Sequence, residues 1–345
     1  MINPRILDLV MLIELGLLVF SVVLFFAHGA WLYIISQRNS AQLVHARSAL
    51  VKIVAGTSQS TADIKILKRL PTRVKTTAFL EMSRNISGDA KDRLRAAARS
   101  TGLVEAARGY CRSRKWKNRL RGARLLTNLD ERDDVVRRLL RDSHPDVRAQ
   151  AAEWAAIQPT PAIIDEMLML LGDSDTEFRF AVQDALLRMG REVVSPLGEY
   201  LDKSDGTAAE LGLELAAAIA EPRFLAAGLL HSRNEDSSVR ASAARLLASI
   251  GSDESKNRLM EALHDPIPEV RAAAASGLGK MRHWAAAVQM SRMLADPTWS
   301  VRRESAMALR KIGGPGMLLL QRAAASDNES VADIAQLILD TPLAE

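Results

Sequence analysis

Two segments near the C-terminal end of the chain share one pattern of residues: DPIPEVRAAAASGLGKM (265–281) and DPTWSVRRESAMALRKIG (296–313). Three earlier segments repeat the pattern: DSHPDVRAQAAEWAAI (142–157), DSDTEFRFAVQDALLRMG (173–190) and EDSSVRASAARLLASIG (235–251). The arginine after the apolar position recurs at intervals of 31, 61, 31 and 31 residues, at Arg148, Arg179, Arg240, Arg271 and Arg302. A fixed period of this length is typical of a solenoid.

The interval of 61 residues is close to twice 31, so a degenerate copy should lie within it. The segment DKSDGTAAELGLELAAAIA (202–220) occupies that place without the arginine, and DNESVADIAQLIL (327–339) is a last copy with Ala332 in the arginine position. A single repeat cannot bury its apolar face alone, so we expect neighbouring copies to stack around one continuous core.

The residue types inside each copy indicate helices. Aspartate or serine ahead of a helix can accept backbone N–H bonds as an N-cap, and proline is tolerated in a first turn. Regularly spaced leucines and valines form an apolar stripe, and a left-handed C-cap suits Gly190, Gly251 and Gly313. Aromatic residues are only 4% of a chain that is 48% hydrophobic, which favours packed helices over large β-sheets. The predicted fold class is all-α.

These features together resemble the HEAT-repeat superfamily, particularly its short-period type named after phycobilisome lyases. The resemblance rests on Asp-Pro before the turn (265–266 and 296–297), Val-Arg opening the second helix, Ala-Ala within it and Leu-x-x-x-Gly closing it. It covers about residues 115–340 and extends in less regular copies to about residue 60. It implies an α-solenoid in which each repeat arginine bonds to a turn aspartate of an adjacent repeat and fixes the stacking register, the available aspartates being Asp142, Asp173, Asp265 and Asp296.

Charge is distributed unevenly along the chain. Residues 38–124 hold 21 Lys and Arg against 5 Asp and Glu, a local charge of +16, whereas the net charge of the whole chain is +5. Residues 1–37 carry −1, so residues 125–345 carry −10. A basic segment is therefore followed by an acidic body, which suggests a partner with a basic face.

The segment LGLLVFSVVLFFAHGAWLYII (15–35) has no formally charged residue when His28 is neutral. About 20 apolar residues cross a bilayer as a helix, and Trp31 and Tyr33 stand where aromatic rings favour the interface. The sequence predicts an uncleaved anchor in preference to a signal peptide cleaved near residues 27–29. The Lys and Arg that follow it predict a single-pass protein of the inner (cytoplasmic) membrane, with the N-terminus outside and the solenoid in the cytoplasm.

Two sets of charged residues are candidate contacts beside this segment. Asp8 and Glu14 lie in its first turns, where they either occupy the outer headgroup region or contact a polar group of a partner membrane helix. The densest basic run is either a solvated face or a contact for anionic lipid or an acidic partner; it comprises Arg112, Arg114, Lys115, Lys117 and Arg119.

The predicted organisation has three parts: a transmembrane anchor (1–37), a basic juxtamembrane helical region with degenerate repeats (38–114) and a HEAT-repeat solenoid (115–345). No catalytic motif appears in the sequence, its six histidines are scattered, and Cys111 has no recognisable activating partner nearby. The sequence therefore predicts no enzyme activity, no cofactor and no metal site.

The favoured functional hypothesis is a membrane-anchored scaffold that binds a protein partner, itself membrane-associated, at the cytoplasmic face of the membrane. Such a scaffold could belong to or regulate a membrane enzyme complex such as a polysaccharide synthase. Two alternatives stay open. One is an enzyme similar to bilin lyases or isomerases, which rests on the family resemblance alone. The other is a nucleic-acid-binding protein, which the acidic body disfavours because phosphate contacts need Lys and Arg.

Overall fold

The computed structural model describes residues 4–57 and 60–342, and every regular element in these ranges is helical. Within the first helix the described side chains are those of residues 16–18, 20–28 and 40–55, and the side chain of residue 60 is also outside the described set. The all-α prediction is confirmed for the described ranges. The chain separates into two compact units, Met1–Leu139 (unit 1) and Leu140–Glu345 (unit 2).

Unit 1 begins with a long helix, and shorter helices follow. They are α1 (Pro4–Ala55), α2 (Ser60–Arg69), α3 (Thr72–Ser83), α4 (Asp89–Ser100), α5 (Leu103–Cys111), α6 (Trp116–Asn128) and α7 (Asp134–Arg137). Helix α1 packs against α2, α3 and α4, and the buried side chains near its C-terminal end are Ala46, Ala49, Leu50 and Ile53. The predicted boundary between residues 114 and 115 falls just before α6, inside this unit.

Unit 2 continues with helices of six to fourteen residues. They are α8 (Pro145–Ile157), α9 (Pro161–Met169), α10 (Thr176–Met189), α11 (Val194–Lys203), α12 (Gly206–Ile219), α13 (Leu225–His231), α14 (Ser237–Ile250), α15 (Asp253–Ala262), α16 (Pro268–Lys280), α17 (Ala287–Arg292), α18 (Trp299–Ile312), α19 (Gly314–Ala324) and α20 (Glu329–Asp340). Short 3-10 turns lie at Arg138–Arg141, Gly190–Val193, Pro222–Phe224, Trp284–Ala286 and Met293–Ala295.

The helices of unit 2 alternate between two layers. From α9 onward, each odd-numbered helix is the first of a repeat and each even-numbered helix is the second. The second helices pack against one another in order, extensively from α12 through α14 and α16 to α18, whereas α10 makes a less extensive contact with α12. The first helices form the other layer, in which α9 meets α11 and α17 meets α19. The predicted solenoid of helical hairpins is confirmed in this unit.

Helix ends in unit 2 follow the residue chemistry of caps. The side chain of Asp175 accepts the backbone N–H of Phe178 at 2.8 Å, and Ser252 caps α15 in the same way. Gly251 has the left-handed conformation at the end of α14, with φ 71°. Gly190 and Gly313 also have positive φ but a different ψ, so of the three predicted left-handed C-caps only Gly251 has that conformation.

Small residues set the distance between the second helices. A Cβ atom placed on Gly279 of α16 would lie 2.6 Å from the Cα and Cβ of Ala308 in α18. Ala274, Ala275 and Ala306 are fully buried nearby in the same core. The alanine-rich pattern therefore serves close helix packing, because small side chains let the two backbones approach.

The predicted membrane anchor is wrong. Residues 15–35 lie in α1, but in the part of the chain that the structure describes, no helix is long and apolar enough to cross a membrane. A spanning helix needs about 20 consecutive apolar residues, and no described helix meets this condition. The predicted inner-membrane location, with the N-terminus outside and the solenoid inside, is overturned with the anchor.

Candidate functional site

Two of the repeat arginines each hold the aspartate of the next turn with two hydrogen bonds. Nε and Nη2 of Arg240 donate to the two carboxylate oxygens of Asp265, each at 2.9 Å. Nε and Nη2 of Arg271 donate to Asp296 at 2.9 and 3.0 Å. Nη1 of each arginine donates to backbone carbonyl oxygens at the start of its own turn. Each guanidinium therefore joins two consecutive turns.

The charges of the Arg240–Asp265 pair stabilise each other. Burial acts to raise the pKa of Asp265, but the hydrogen bonds from Arg240 and from the backbone N–H of Ile267 hold that pKa below its ordinary value. The hydrogen bond to Asp265 in turn raises the pKa of Arg240. Both side chains are mostly buried, and charged hydrogen bonds are stronger in such surroundings than in water.

Arg148 and Asp173 form a looser version of this contact. Nη2 of Arg148 lies 3.4 Å from Oδ1 of Asp173, and the guanidinium sits over the ring of Phe178 at 4.8 Å. Asp142 accepts the backbone N–H of His144 at 2.9 Å, and its carbonyl oxygen accepts from Nη1 of Arg148.

Arg179 and Arg302 do not reach the carboxylate of a following turn. Arg179 stays within its own turn, where it donates to the carbonyl oxygen of Asp173 at 2.7 Å and to Thr176 Oγ1 at 3.2 Å. Arg302 donates to the carbonyl oxygens of Asp296 and Pro297. Three of the five repeat arginines therefore contact the aspartate of the next turn, and two bond to carbonyl or hydroxyl oxygens of their own turn. The predicted role of the whole set in fixing the stacking register stays a prediction.

The predicted basic run lies at the end of α5 and the start of α6. Arg112, Arg114, Lys115 and Lys117 are exposed, and the Lys117 ammonium sits 5.7 Å from the centre of the Trp116 ring. Arg119 turns back and donates to the carbonyl oxygens of residues 113 and 114. The predicted contact with lipid or an acidic partner stays a prediction. The side chains of Asp8 and Glu14 lie outside the described residues.

The single cysteine, Cys111, is buried in unit 1. Burial, together with the negative charge of Asp133, raises the pKa of its thiol to about 12. A thiol with such a pKa is almost entirely protonated at neutral pH and is therefore a poor nucleophile. Within the described ranges, no group of three or more His, Cys, Asp or Glu side chains is placed to hold a metal ion.

A groove that the sequence did not reveal lies between α9 and α11. It has a volume of about 600 Å³, and its lining includes residues of the two turns that follow these helices. Its apolar lining includes Met169, Pro196 and Tyr200, and 72% of the Met169 side chain is exposed. Tyr200 is half-buried, and this burial raises the pKa of its hydroxyl.

Carboxylates surround the groove. Asp165 of α9 and Glu199 of α11 line it and are exposed, and Asp205 accepts hydrogen bonds from Asn234 and from the backbone N–H of Gly206. These hydrogen bonds lower the pKa of Asp205, the one from Asn234 most. Lys203 is the only cationic residue of the lining.

The groove escaped sequence analysis because its members come from distant positions and follow no motif. One residue could have pointed to the groove. Met169 is the last residue of α9, a helix in which Ile164 and Met167 are buried. Only the packing of one repeat on the next shows that Met169 is left outside the core.

The family comparison agrees with the fold. A family model described as HEAT repeats matches residues 132–216, 223–310 and 266–339, which together are more than half of the chain. No curated protein matches the sequence.

Solved structures with the same fold include a karyopherin. Kap121p bound to the extreme C-terminus of the protein phosphatase Cdc14p superposes with a TM-score of 0.59 at 12% identity, covering 88% of this chain and 41% of that one. Kap121p bound to the SUMO protease Ulp1p gives 0.58 at 12% identity, with the same shares of 88% and 41%. The chain thus spans about two fifths of the karyopherin's length, and identities this low show a shared fold alone.

A weaker likeness is to the complex of CpcE and CpcF of phycocyanin lyase from Nostoc sp. PCC7120. It covers 68% of this chain and 94% of that one at 17% identity, with a TM-score of 0.33. A superposition that loose carries no argument about function. The stacked hairpins and the family match over more than half of the chain lead to one conclusion: the chain belongs to the HEAT-repeat family.

Proposed function

We propose that this chain is a non-catalytic scaffold that binds another protein through the repeats of unit 2, and that the partner presents a basic face. The observation that carries the proposal is a set of large apolar side chains on the outside of these repeats. Between 64% and 72% of each is exposed, in Met169, Phe180, Leu230, Trp284 and Leu318. The repeats from α14 to α20 share one buried core, and helices α9 to α12 bury apolar side chains of their own, so the exposed ones are not needed for stacking.

Apolar side chains on the surface of a repeat protein favour a partner interface. A stacked array offers an extended surface on which such side chains recur. Contact with a partner removes them from water, which contributes a favourable free energy of about 25 cal/mol for each Å² of apolar surface buried. Aromatic side chains and methionine are also enriched at protein interfaces.

The charge of the acidic body supports a basic partner. Residues 125–345 carry −10, and complementary charge speeds encounter and selects among partners. The karyopherin structures of similar fold hold protein ligands, namely a phosphatase C-terminus and a SUMO protease. That likeness supports a solenoid as a protein-docking surface without naming the ligand of this chain.

A non-catalytic role is consistent with the buried thiol of Cys111. It is also consistent with the repeat arginines, whose guanidinium groups bond to the turns of the solenoid and are only partly accessible. Charged groups held in this way stabilise the fold and are poorly available for reaction with a ligand.

Cross-linking in the source cells tests the proposal. Unit 2 contains four lysines that can serve as reporters for a lysine-reactive reagent: Lys203, Lys280 and Lys311 are exposed, and Lys256 is partly exposed. We expect the tagged full-length chain to give reproducible links from these lysines to one or a few proteins, through segments rich in Lys and Arg. The control is an unrelated tagged protein of equal abundance. If the four lysines yield no partner beyond that control, the proposal fails.

A further inference from the structure

We propose that the groove between α9 and α11 binds a short segment of the partner protein that carries one large apolar side chain flanked by arginine or lysine. This inference rests on the proposed function and assigns the docking site within unit 2. The groove is lined by Asp165, Met169, Glu199, Tyr200 and Asp205, among others.

The apolar lining of the groove suits one large side chain. Met169 stands open to solvent on one wall, and Pro196 and the ring of Tyr200 line the other. A volume of about 600 Å³ lies within the range of ligand pockets and leaves room for a side chain with part of its backbone. Methionine adapts its shape to different apolar partners.

The rim of the groove carries three carboxylates and one cation. Within the described residues, Asp165 and Glu199 have no hydrogen-bond or ion-pair partner. Asp205 is fixed in place by Asn234, which donates to it at 2.9 Å. Lys203 offsets only part of this charge. An apolar ligand with flanking arginine or lysine matches both the apolar lining and the charge of the rim, because its cations can pair with Asp165 and Glu199.

The groove is held open by its own packing. A Cβ atom on Gly212 of α12 would lie 3.1 Å from a ring carbon of Tyr200, so glycine at this position makes space for the ring. Ser204 Oγ donates to the carbonyl oxygen of Tyr200 at 2.6 Å and secures the last turn of α11. A site that is already formed binds with a smaller loss of conformational entropy.

The groove lies where the series of arginine–aspartate contacts is interrupted. Arg240 and Arg271 each bond to an aspartate 25 residues further on. The residue at that distance from Arg179 is Ser204, which lines the groove, and Arg179 bonds within its own turn instead. Among the described residues, no arginine therefore joins the turn at Gly172 to the turn at Ser204, and the groove lies between these two turns.

Peptide binding to the full-length chain tests the assignment. The probe is a labelled 12-residue peptide with a central phenylalanine, two arginines on each side and glycine and serine elsewhere. One comparison peptide replaces the arginines with glutamates, and another replaces the phenylalanine with glycine. We expect fluorescence anisotropy to show salt-sensitive binding of the first peptide and about tenfold weaker binding of the other two. Equal binding of all three peptides would overturn the assignment.

Variants of the groove locate the binding. Met169→Ser, which removes the exposed apolar side chain without adding charge, and the double variant Asp165→Lys/Glu199→Lys, which reverses the charge of the rim, should each weaken the first peptide by about tenfold or more. The matched control is Glu192→Lys, an exposed carboxylate just before α11 that does not line the groove; it should change affinity less than about twofold. Circular dichroism checks the fold. If a charge-reversal variant unfolds, Asp165→Asn/Glu199→Gln removes the charge at constant size and should still weaken binding.

The outcomes separate this inference from the proposed function. If cross-linking finds a partner of unit 2 but neither the groove variants nor the comparison peptides alter binding, the groove assignment fails and the scaffold proposal stands. If the groove is instead occupied by a second copy of the chain, sedimentation will show a dimer that Met169→Ser dissociates, and the assignment also fails. If no partner is captured by any lysine of unit 2, the scaffold proposal fails.

Discussion

Arg271, like Arg240, makes all four hydrogen bonds of the repeat contact. It bonds to both oxygens of Asp296 and to two carbonyl oxygens, and both charged side chains are mostly buried. A lysine ammonium cannot reproduce this planar arrangement of donors. The contact therefore depends on the identity of the side chain as well as on its charge.

We predict that Arg271→Lys lowers the free energy of unfolding by about 1–3 kcal/mol, because hydrogen bonds to charged groups are lost and Asp296 is left incompletely paired. Arg302→Lys is the matched control, since Arg302 bonds to two carbonyl oxygens but to no carboxylate that the structure describes. Urea unfolding followed by circular dichroism measures both. Equal losses in the two variants would show that the carboxylate contributes nothing.

The thiol of Cys111 is predicted to be unreactive in the folded protein. It is only 3% exposed, and burial raises its pKa to about 12. At pH 8 we expect slow modification by a disulfide reagent such as DTNB in buffer and rapid, complete modification in denaturant. Rapid modification of the native chain at pH 8 would contradict this prediction and reopen the question of a reactive cysteine.

The buried charge of Lys75 lowers the free energy of unfolding by an amount that depends on pH. Its ammonium is buried and donates to the carbonyl oxygen of Thr101 at 3.0 Å, and burial lowers its pKa below the ordinary 10.5. The unfolded chain therefore binds this proton more tightly than the folded chain. As a result, the contribution of Lys75 to the free energy of unfolding rises with pH between the lowered pKa and 10.5.

We predict that Lys75→Met is more stable than the natural chain at pH 7 and that the difference narrows as the pH approaches 10, because the natural lysine then loses its buried charge. Urea unfolding of both proteins at pH 7, 8.5 and 10 measures the difference. Because other groups titrate equally in both proteins, only the difference is informative. A gap that stays constant or widens with pH contradicts the prediction.

At the scale of elements, the separation of second helices depends on small residues. Gly279 of α16 faces Ala308 of α18 at a distance that leaves no room for a Cβ atom. Because both neighbouring atoms belong to the other helix's backbone or to its Cβ, the strain cannot be relieved by a rotamer change.

We predict that Gly279→Ala destabilises the protein by about 1–3 kcal/mol through forced separation of α16 and α18. Gly198→Ala is the matched control: Gly198 lies in helix α11, and a Cβ atom there would meet no atom within 4 Å. It should be neutral or stabilising by about 0.5–1 kcal/mol, because alanine favours helix over glycine. Thermal and urea unfolding compare the two, and a loss of similar size in both would refute the close-packing argument.

At the scale of the whole molecule, coupling between repeats is uneven. The second helices pack extensively from α12 to α18 but less so between α10 and α12, and the same repeat lacks the arginine contact at Ser204. In a stacked array each repeat is stabilised mainly by its immediate neighbours. The junction of α9–α10 with α11–α12 is therefore the weakest one between the second helices from α10 to α18.

We predict that amides of α10 to α12 exchange with solvent faster than those of α14 to α18 in native-state hydrogen exchange, because local opening follows local contact density. Mass spectrometry of peptic peptides measures both segments in one sample, so the comparison needs no second protein. Uniform protection across α10 to α18 would show that the interrupted repeat is coupled as strongly as the others.

The repeat period, the capping residues and the alanine pattern by themselves determined that this chain is an all-α solenoid, because stacking requires the same residue types at the same position in every copy. Hydropathy was a poorer guide at residues 15–35, where it predicted a membrane span that no described helix satisfies. Tertiary structure alone decided which arginines meet a carboxylate, since Arg271 and Arg302 occupy the same position of the repeat pattern but bond to different groups. It alone also decided that Met169, Glu199 and Asp205 share one groove, because residues on separate repeats come together only through the angle and spacing at which helices pack.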